Sequence, residues 1–390
     1  MLLLGALVGC SERDEAATTA MPRHVPLTVG IVAMAEGDLI AARDAMIGAT
    51  ARPYHGAVRL LTLTASERGS SLTEVSEDGS RRPITSFEGR ELRAEATLAA
   101  FGRALAERPA DRTAVIFWGH GRGWRGFGGR KEGYRLIDGS FEQALRALQR
   151  GLGRKIDMLG FDACLMGSWE VAEIAAPYAS VLVASPELVP ERGWPIDRAL
   201  ESLARAPAKS AADLAERFVT PFADAGRRYV SLSAIDLEAV PEVERAASEL
   251  ARAAVAQDLP LDPAWLEGVL RYRDQGAVDL GELSAAIARS APSPSLRERA
   301  SALGDAARRA RVARSCRGRH CDALGLSIHG VHALGDGGYA DPRARWNRDP
   351  AWAGWVAQTR RSVSSLPQTS RSTPPYALVS PQPKDPRSHP

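Results

Sequence analysis

Two short stretches of the sequence carry side chains able to do covalent chemistry. In GFDACLMGSWE, residues 160–170, an apolar run ends in Asp162, Ala163 and Cys164. In TAVIFWGHGRGW, residues 113–124, another ends in Gly119, His120 and Gly121. A thiol is a weak nucleophile until it becomes a thiolate, and a nearby imidazole assists that step. Taken alone, the cysteine reads as a buried structural residue and the histidine as a loop residue. Together, each at the end of an apolar run, they point to nucleophilic catalysis by His120 and Cys164. The segment after Cys164 has a helical pattern. A helix N-terminus there would favour the thiolate and offer N–H groups to an oxyanion. The glycines beside His120 would let backbone approach a substrate closely.

Such residues need rigid elements to position them. LTVGIVAM (27–34), AVRLLTLT (57–64), TAVIFW (113–118), IDMLGF (156–161), SVLVAS (180–185), YVSLSAI (229–235) and LGLSIHGV (324–331) are near-continuous apolar runs of strand length. Strands of that kind belong to a sheet covered on both faces. Helical patterns lie between them at 38–49, 91–107, 140–152, 166–176, 211–225 and 237–256. The alternation predicts an α/β domain with a mostly parallel sheet and its chemistry in loops at the carboxyl ends of strands. Residues 67–89 are polar and Gly/Ser-rich and predict a hairpin or a long loop. After Gly335 the chain reads as loop until DPAWAGWVAQ (349–358), a short closing helix. Residues 362–390 are dominated by Pro, Ser, Thr and Arg and read as a disordered tail.

The composition is that of a globular protein: 390 residues, 45% hydrophobic and 25% charged. A net charge of +3, with no dense Lys/Arg block interleaved with aromatics, does not imply nucleic acid. No apolar stretch approaches the roughly 20 residues of a membrane span. The N-terminal MLLLGALVGC, followed by the polar SERDEAATTA, resembles a bacterial lipoprotein signal. On that reading residues 1–10 are the signal, Cys10 is lipidated, and 11–25 form a polar linker. The protein is then exported and lipid-anchored in a bacterial cell envelope, Ser11 being compatible with the outer membrane. An ordinary initiator segment with a chance cysteine is the alternative. Cys316 and Cys321 in RSCRGRHCDA are read as a local disulfide, as two thiols, or with His320, His329 and His332 as a zinc site. That leaves Cys164 over, as a reactive thiol.

The segments 115–128 (VIFWGHGRGWRGFG) and 160–197 (GFDACLMG…GWPID), with YVSLSAIDL, VDLGEL and GLSIHGV further on, resemble the clostripain family of cysteine peptidases, of the clan that includes caspases. The resemblance runs from about Pro26 to Gln358. It implies a caspase-like three-layer α/β/α sandwich, with residues 26–361 as the peptidase domain. Three positions depart from the family pattern: Gly119 stands where asparagine is usual, MAEGDL replaces a Met-Ala-Ala-Asp-Asn-type segment, and Pro186 replaces an acid.

By that resemblance Cys164 attacks the scissile carbonyl to form a thioester, and His120 serves as general acid and base. The N–H groups of Gly121 and Cys164 are the implied oxyanion donors. Asp162 is the implied floor of the S1 pocket, pairing with Arg or Lys at P1; alternatively it only accepts backbone N–H bonds at its turn. Ser185 and Glu187 are implied cleft contacts. Trp194 lines the cleft or belongs to the core, and Asp236 adjoins the pocket or caps a helix. Family members often cut themselves between the histidine and the cysteine; here Arg130-Lys131 is the candidate, in a loop that is either cut or merely flexible. The chemistry needs no cofactor, calcium is implied only by the family, and the partners are protein or peptide substrates with Arg or Lys at P1. A catalytically silent or regulatory binding module on the same fold is the competing reading. An unrelated α/β hydrolase is disfavoured, since the sequence has neither a Gly-x-Ser-x-Gly elbow nor a P-loop.

Overall fold

The computed structural model describes residues 24–364, apart from 36–38, 67–68, 90–91, 130–132, 191, 226–229, 267, 273–276 and 330–337. The chain runs through β1 (Val25–Met34), α1 (Leu39–Thr50) and β2 (Val58–Ser66) into a hairpin of β3 (Gly69–Val75) and β4 (Arg81–Glu88). There follow α2 (Glu95–Ala106), β5 (Ala110–Gly119), α3 (Ser140–Leu152), β6 (Ile156–Asp162), α4 (Trp169–Ala175) and β7 (Ala179–Ala184). Next come α5 (Ile196–Arg205), α6 (Ala211–Val219), β8 (Val230–Asp236) and α7 (Val240–Ala256). The last elements are β9 (Val278–Asp279), α8 (Leu280–Ser290), α9 (Pro294–Ala310), β10 (Arg311–Arg317), β11 (Ser327–Ile328) and α10 (Pro350–Ser364).

Among the described residues nine strands form one sheet, in the order β10-β8-β7-β6-β5-β1-β2-β3-β4. The five central strands, from β7 to β2, pair in parallel. Antiparallel strands complete both sides. Alternate residues of a central strand feed two separate cores, as the period-two geometry of a strand demands. On β5, Val115 and Phe117 join the core beneath α2, α3 and α4. Ala114, Ile116 and Trp118 join the core beneath α1, α5 and α6. Both faces are therefore apolar, which is why these strands read as unbroken hydrophobic runs. α3 shows the helical counterpart: Phe141, Ala144, Leu145, Leu148 and Leu152 are buried at helical spacing, and Gly153 ends the helix in the left-handed conformation.

The expected α/β sandwich and the hairpin over 67–89 are present. Other elements differ. Among its described residues LGLSIHGV does not join the main sheet: Ser327 and Ile328 form a short strand that pairs with β9. The place beside β8 is taken by β10, whose RVARSCR sequence carries too little apolar character to read as a strand. α9 was also silent in the sequence. It buries mostly small residues, Ala300, Gly304, Ala306, Ala307 and Ala310, which allow close packing but give a weak apolar signal. α5 and α8 likewise have no counterpart among the helical patterns of the sequence. α10 extends to Ser364, past the expected boundary at 361; residues 1–23, with Cys10, and 365–390 lie outside the described residues.

Candidate active site

Adjacent parallel strands bring the two loops together. Trp118 of β5 lies opposite Asp162 of β6, so both chains leave the sheet at the same edge, at the carboxyl ends of the strands. The approach is close. A Cβ on Gly121 would stand 2.0 Å from the carbonyl oxygen of Cys164, so the residue after His120 must be glycine. Gly119, before it, has φ of +149°, and a Cβ there would stand 2.6 Å from the Met34 carbonyl oxygen. These glycines bring backbone against backbone, with the Cys164 and Met34 carbonyls where a side chain would otherwise stand. His120 is exposed. Its carbonyl accepts from the Gly128 N–H at 2.7 Å and closes the loop behind it.

Cys164 is half-buried and outside any disulfide. Its Sγ accepts a hydrogen bond from the Val189 N–H at 3.3 Å, and the thiol donates to the Val189 carbonyl at 3.9 Å. Leu165 follows with φ of +66°. Its N–H donates to the Glu187 carbonyl at 3.2 Å, and the Gly167 N–H donates to the Ser185 carbonyl at 2.8 Å. The segment 185–189 thus runs beside the cysteine loop and fixes its path.

Asp162 is 3% exposed. Its Oδ2 accepts from the Trp194 N–H at 3.0 Å. Its Oδ1 has no hydrogen-bond partner among the described residues. Burial pushes this carboxyl up to about 7, against the opposing effect of the Trp194 bond.

A second buried acid ties the loops to the C-terminal part of the chain. Glu170 of α4 is fully buried. Its Oε1 accepts from the His329 backbone N–H at 2.9 Å and from the Tyr339 hydroxyl at 2.8 Å. Burial alone would raise this carboxyl, but hydrogen bonding and electrostatic contact with His329 hold it below its usual value. The His329 ring lies against Gly123 of the His120 loop, where a Cβ would stand 2.8 Å from Cε1. Trp124 of the same loop packs edge-on against Tyr339 and Trp346, with ring centroids 5.4 and 6.4 Å away. Sequence reasoning missed Glu170. The available signal was a carboxylate inside an otherwise apolar helix, WEVAEIA.

A model of the Clostripain family (peptidase C11) matches residues 46–292, more than half of the chain. The protein belongs to the clostripain family. It is accordingly a cysteine-type endopeptidase. Its fold resembles the X-ray structure of "iotapain", a secreted C11 cysteine protease from Bacteroides thetaiotaomicron, with a TM-score of 0.66 and 16% identity over 84% of this chain and 99% of that one. It also resembles an inactive zymogen C11 protease from Parabacteroides distasonis, with a TM-score of 0.62 and 18% identity over 85% of this chain and 99% of that one. At such identities the likeness is one of fold, caspase-like α/β. Among curated proteins no sequence matches.

Several expected site residues of this clostripain-family chain stand elsewhere. Asp236 is at the wrong end of the sheet. β8 runs antiparallel to β7 and pairs Asp236 with Val181, so its carboxyl end faces away from the edge that carries the His120 and Cys164 loops. There Asp236 Oδ1 accepts from the Glu238 N–H at 2.9 Å, closing a turn rather than capping α7. Ser185 is fully buried and its Oγ donates to the Glu187 carbonyl. The Glu187 carboxylate turns inward, to the Leu188 N–H at 2.8 Å and to within 3.7 Å of His320. Neither is a rim contact. Trp194 is a core residue, its ring closing on Gly160 in the layer beneath α5 and α6. α4 begins at Trp169, capped by the Ser168 side chain, so Cys164 does not sit at a helix N-terminus. Cys316 and Cys321 form a disulfide, which removes the zinc and dithiol readings. His320 is buried beside Tyr272 and His329 beside Glu170, while His332 lies outside the described residues.

Proposed function

We propose that this peptidase cleaves after arginine, and after lysine, through a His120/Cys164 dyad. The observation that carries the reading is the buried Asp162 carboxyl with one oxygen lacking a partner, two residues before the cysteine. A buried carboxylate without a counter-charge is costly. A P1 guanidinium would supply two N–H donors and the charge, and a lysine ammonium the charge alone. The Cys164 thiolate attacks the scissile carbonyl and forms a thioester. His120 protonates the leaving amine, then takes a proton from the water that hydrolyses the thioester. The N–H groups of Gly121 and Cys164 hold the developing oxyanion.

Self-activation would cut after Arg130 or Lys131. Both lie outside the described residues; of the flanking residues, the Gly133 N–H donates to the Gly129 carbonyl at 3.0 Å. The Parabacteroides relative is described as an inactive zymogen, which agrees with this reading. We further propose export with a lipid anchor at Cys10. The Cys316–Cys321 disulfide suits an oxidising compartment, and the Bacteroides relative is described as secreted. Among the described residues no group of three or more His, Cys, Asp or Glu could hold a metal ion, so no residue is assigned to calcium.

The test is hydrolysis of peptides differing only at P1 by wild type, Cys164→Ala and Asp162→Asn. Cleavage after Arg that vanishes in the first variant and collapses in the second supports both roles. An effect of Cys164→Ala alone would reduce Asp162 to a tether for the Trp194 N–H. No cleavage by wild type, even after nicking near Arg130, would favour a binding module.

A further inference from the structure

A cavity of about 440 Å³ lies between α4, α7 and the start of α10, on the face of the sheet away from Trp194. Its walls include the rings of Trp169, Trp346 and Trp352, those of Trp169 and Trp352 meeting edge-on at 5.0 Å. Glu173 lines it and is 8% exposed. One of its oxygens is 3.6 Å from Arg345 Nε, while the other, Oε2, has no hydrogen-bond partner among the described residues. Glu244, on the opposite wall, is half-buried; burial raises its carboxyl, and the charge of Arg345 opposes that. Three arginines line the same cavity: Arg345 reaches Glu142 at 3.3 Å, Arg245 bonds Glu249 at 3.2 Å, and Arg348, next to Asp349, lowers the Glu173 carboxyl by less than burial and Glu244 raise it. Burial, followed by the charge of Glu244, pushes the Glu173 carboxyl up to about 8.

We infer that this cavity is a second binding site, for the guanidinium or ammonium group of an organic cation held between Glu173 and Glu244 and against the tryptophan rings. Each observation supports that class of ligand. Two under-compensated carboxylates need positive charge with N–H donors, and a tryptophan face attracts a cation within about 6 Å. Pockets of roughly 300–1,000 Å³ hold small ligands, so there is room for a basic side chain or a small amine. Trp346 packs against Trp124 of the His120 loop, and Trp169 opens the helix that follows Cys164. An occupant therefore stands behind both catalytic loops without entering the cleft. The site is independent of the P1 assignment, since it shares no residue with Asp162.

Calorimetric titration of the Cys164→Ala, Asp162→Asn double variant with agmatine tests it, because that protein neither turns over nor keeps the P1 carboxylate. Agmatine should still bind. Adding Glu173→Gln should weaken it about tenfold, the worth of one charge-assisted hydrogen bond. Glu244→Gln alters a half-buried side chain that holds nothing in place, so it should weaken binding similarly while the unfolding midpoint stays unchanged. No binding at millimolar agmatine, or an affinity indifferent to both glutamates, would overturn the site. Calcium binding with the same dependence on Glu173, and displacing agmatine, would overturn the organic-cation assignment. The peptide acetyl-Gly-Arg-Gly-amide separates two sources of the same chemistry. Tighter binding than agmatine identifies a polypeptide's basic side chain, and weaker binding a free amine.

Discussion

Replacing Asp162 by asparagine should stabilise the protein at alkaline pH while removing arginine specificity. The carboxyl is raised from 3.8 to about 7, first by burial, with only the Trp194 N–H opposing. At 1.36 kcal/mol per pH unit that displacement corresponds to about 4 kcal/mol. The folded protein keeps the Asp162 proton over a range in which the unfolded chain has lost it. The contribution to stability is therefore fully present below pH 3.8, is lost as pH rises toward about 7, and stays lost above. Asparagine keeps an oxygen for the Trp194 N–H and has no charge to desolvate. Urea unfolding of Cys164→Ala with and without Asp162→Asn, followed by tryptophan fluorescence at pH 5 and pH 8, measures the difference. The asparagine protein should be more stable than its parent by about 1.5 kcal/mol at pH 5 and by up to about 4 kcal/mol at pH 8. Identical pH dependence in the two proteins, or a less stable asparagine variant at pH 8, would refute the claim that this carboxyl is buried without compensation. The argument for a P1 cation would fall with it.

The Glu170 cluster predicts an asymmetry between two substitutions. Glu170→Ala leaves the His329 N–H and the Tyr339 hydroxyl without their acceptor and should cost about 3 kcal/mol or more, whereas Glu170→Gln keeps an acceptor and should cost less; equal losses in urea unfolding would dismiss the cluster. Gly121→Ala forces the His120 loop away from the Cys164 carbonyl, so kcat/KM should drop about 100-fold while the far-ultraviolet circular dichroism stays native. Cys316 and Cys321 are five residues apart, and closing so short a loop is worth about 2 kcal/mol on the chain-entropy model, so the Cys316→Ser, Cys321→Ser protein should melt a few degrees lower yet remain folded. An unchanged melting temperature in the double variant would count against that contribution.

The nearness of the His120 and Cys164 loops was legible in the sequence because both follow strands buried on both faces. Apolar runs such as TAVIFW and IDMLGF mark such strands locally, and parallel pairing then puts their carboxyl ends side by side. The hairpin over 67–89 and the helices with wide apolar stripes were legible for the same reason: their signals lie within a few residues. What depends on strand direction, or on contacts between distant segments, was not. SAIDL carries no sign that β8 runs antiparallel, so only the assembled sheet sends Asp236 to the far edge. Ser185 and Glu187 follow Cys164 closely in sequence, yet the fold spends them on holding a loop. RSCRGRHC allowed a disulfide, two thiols or zinc until the turn brought the two sulfurs together. Glu170 looked like one more helical carboxylate. Its hydrogen-bond partners lie 159 and 169 residues further along the chain, and no local pattern can announce a bond closed over that distance.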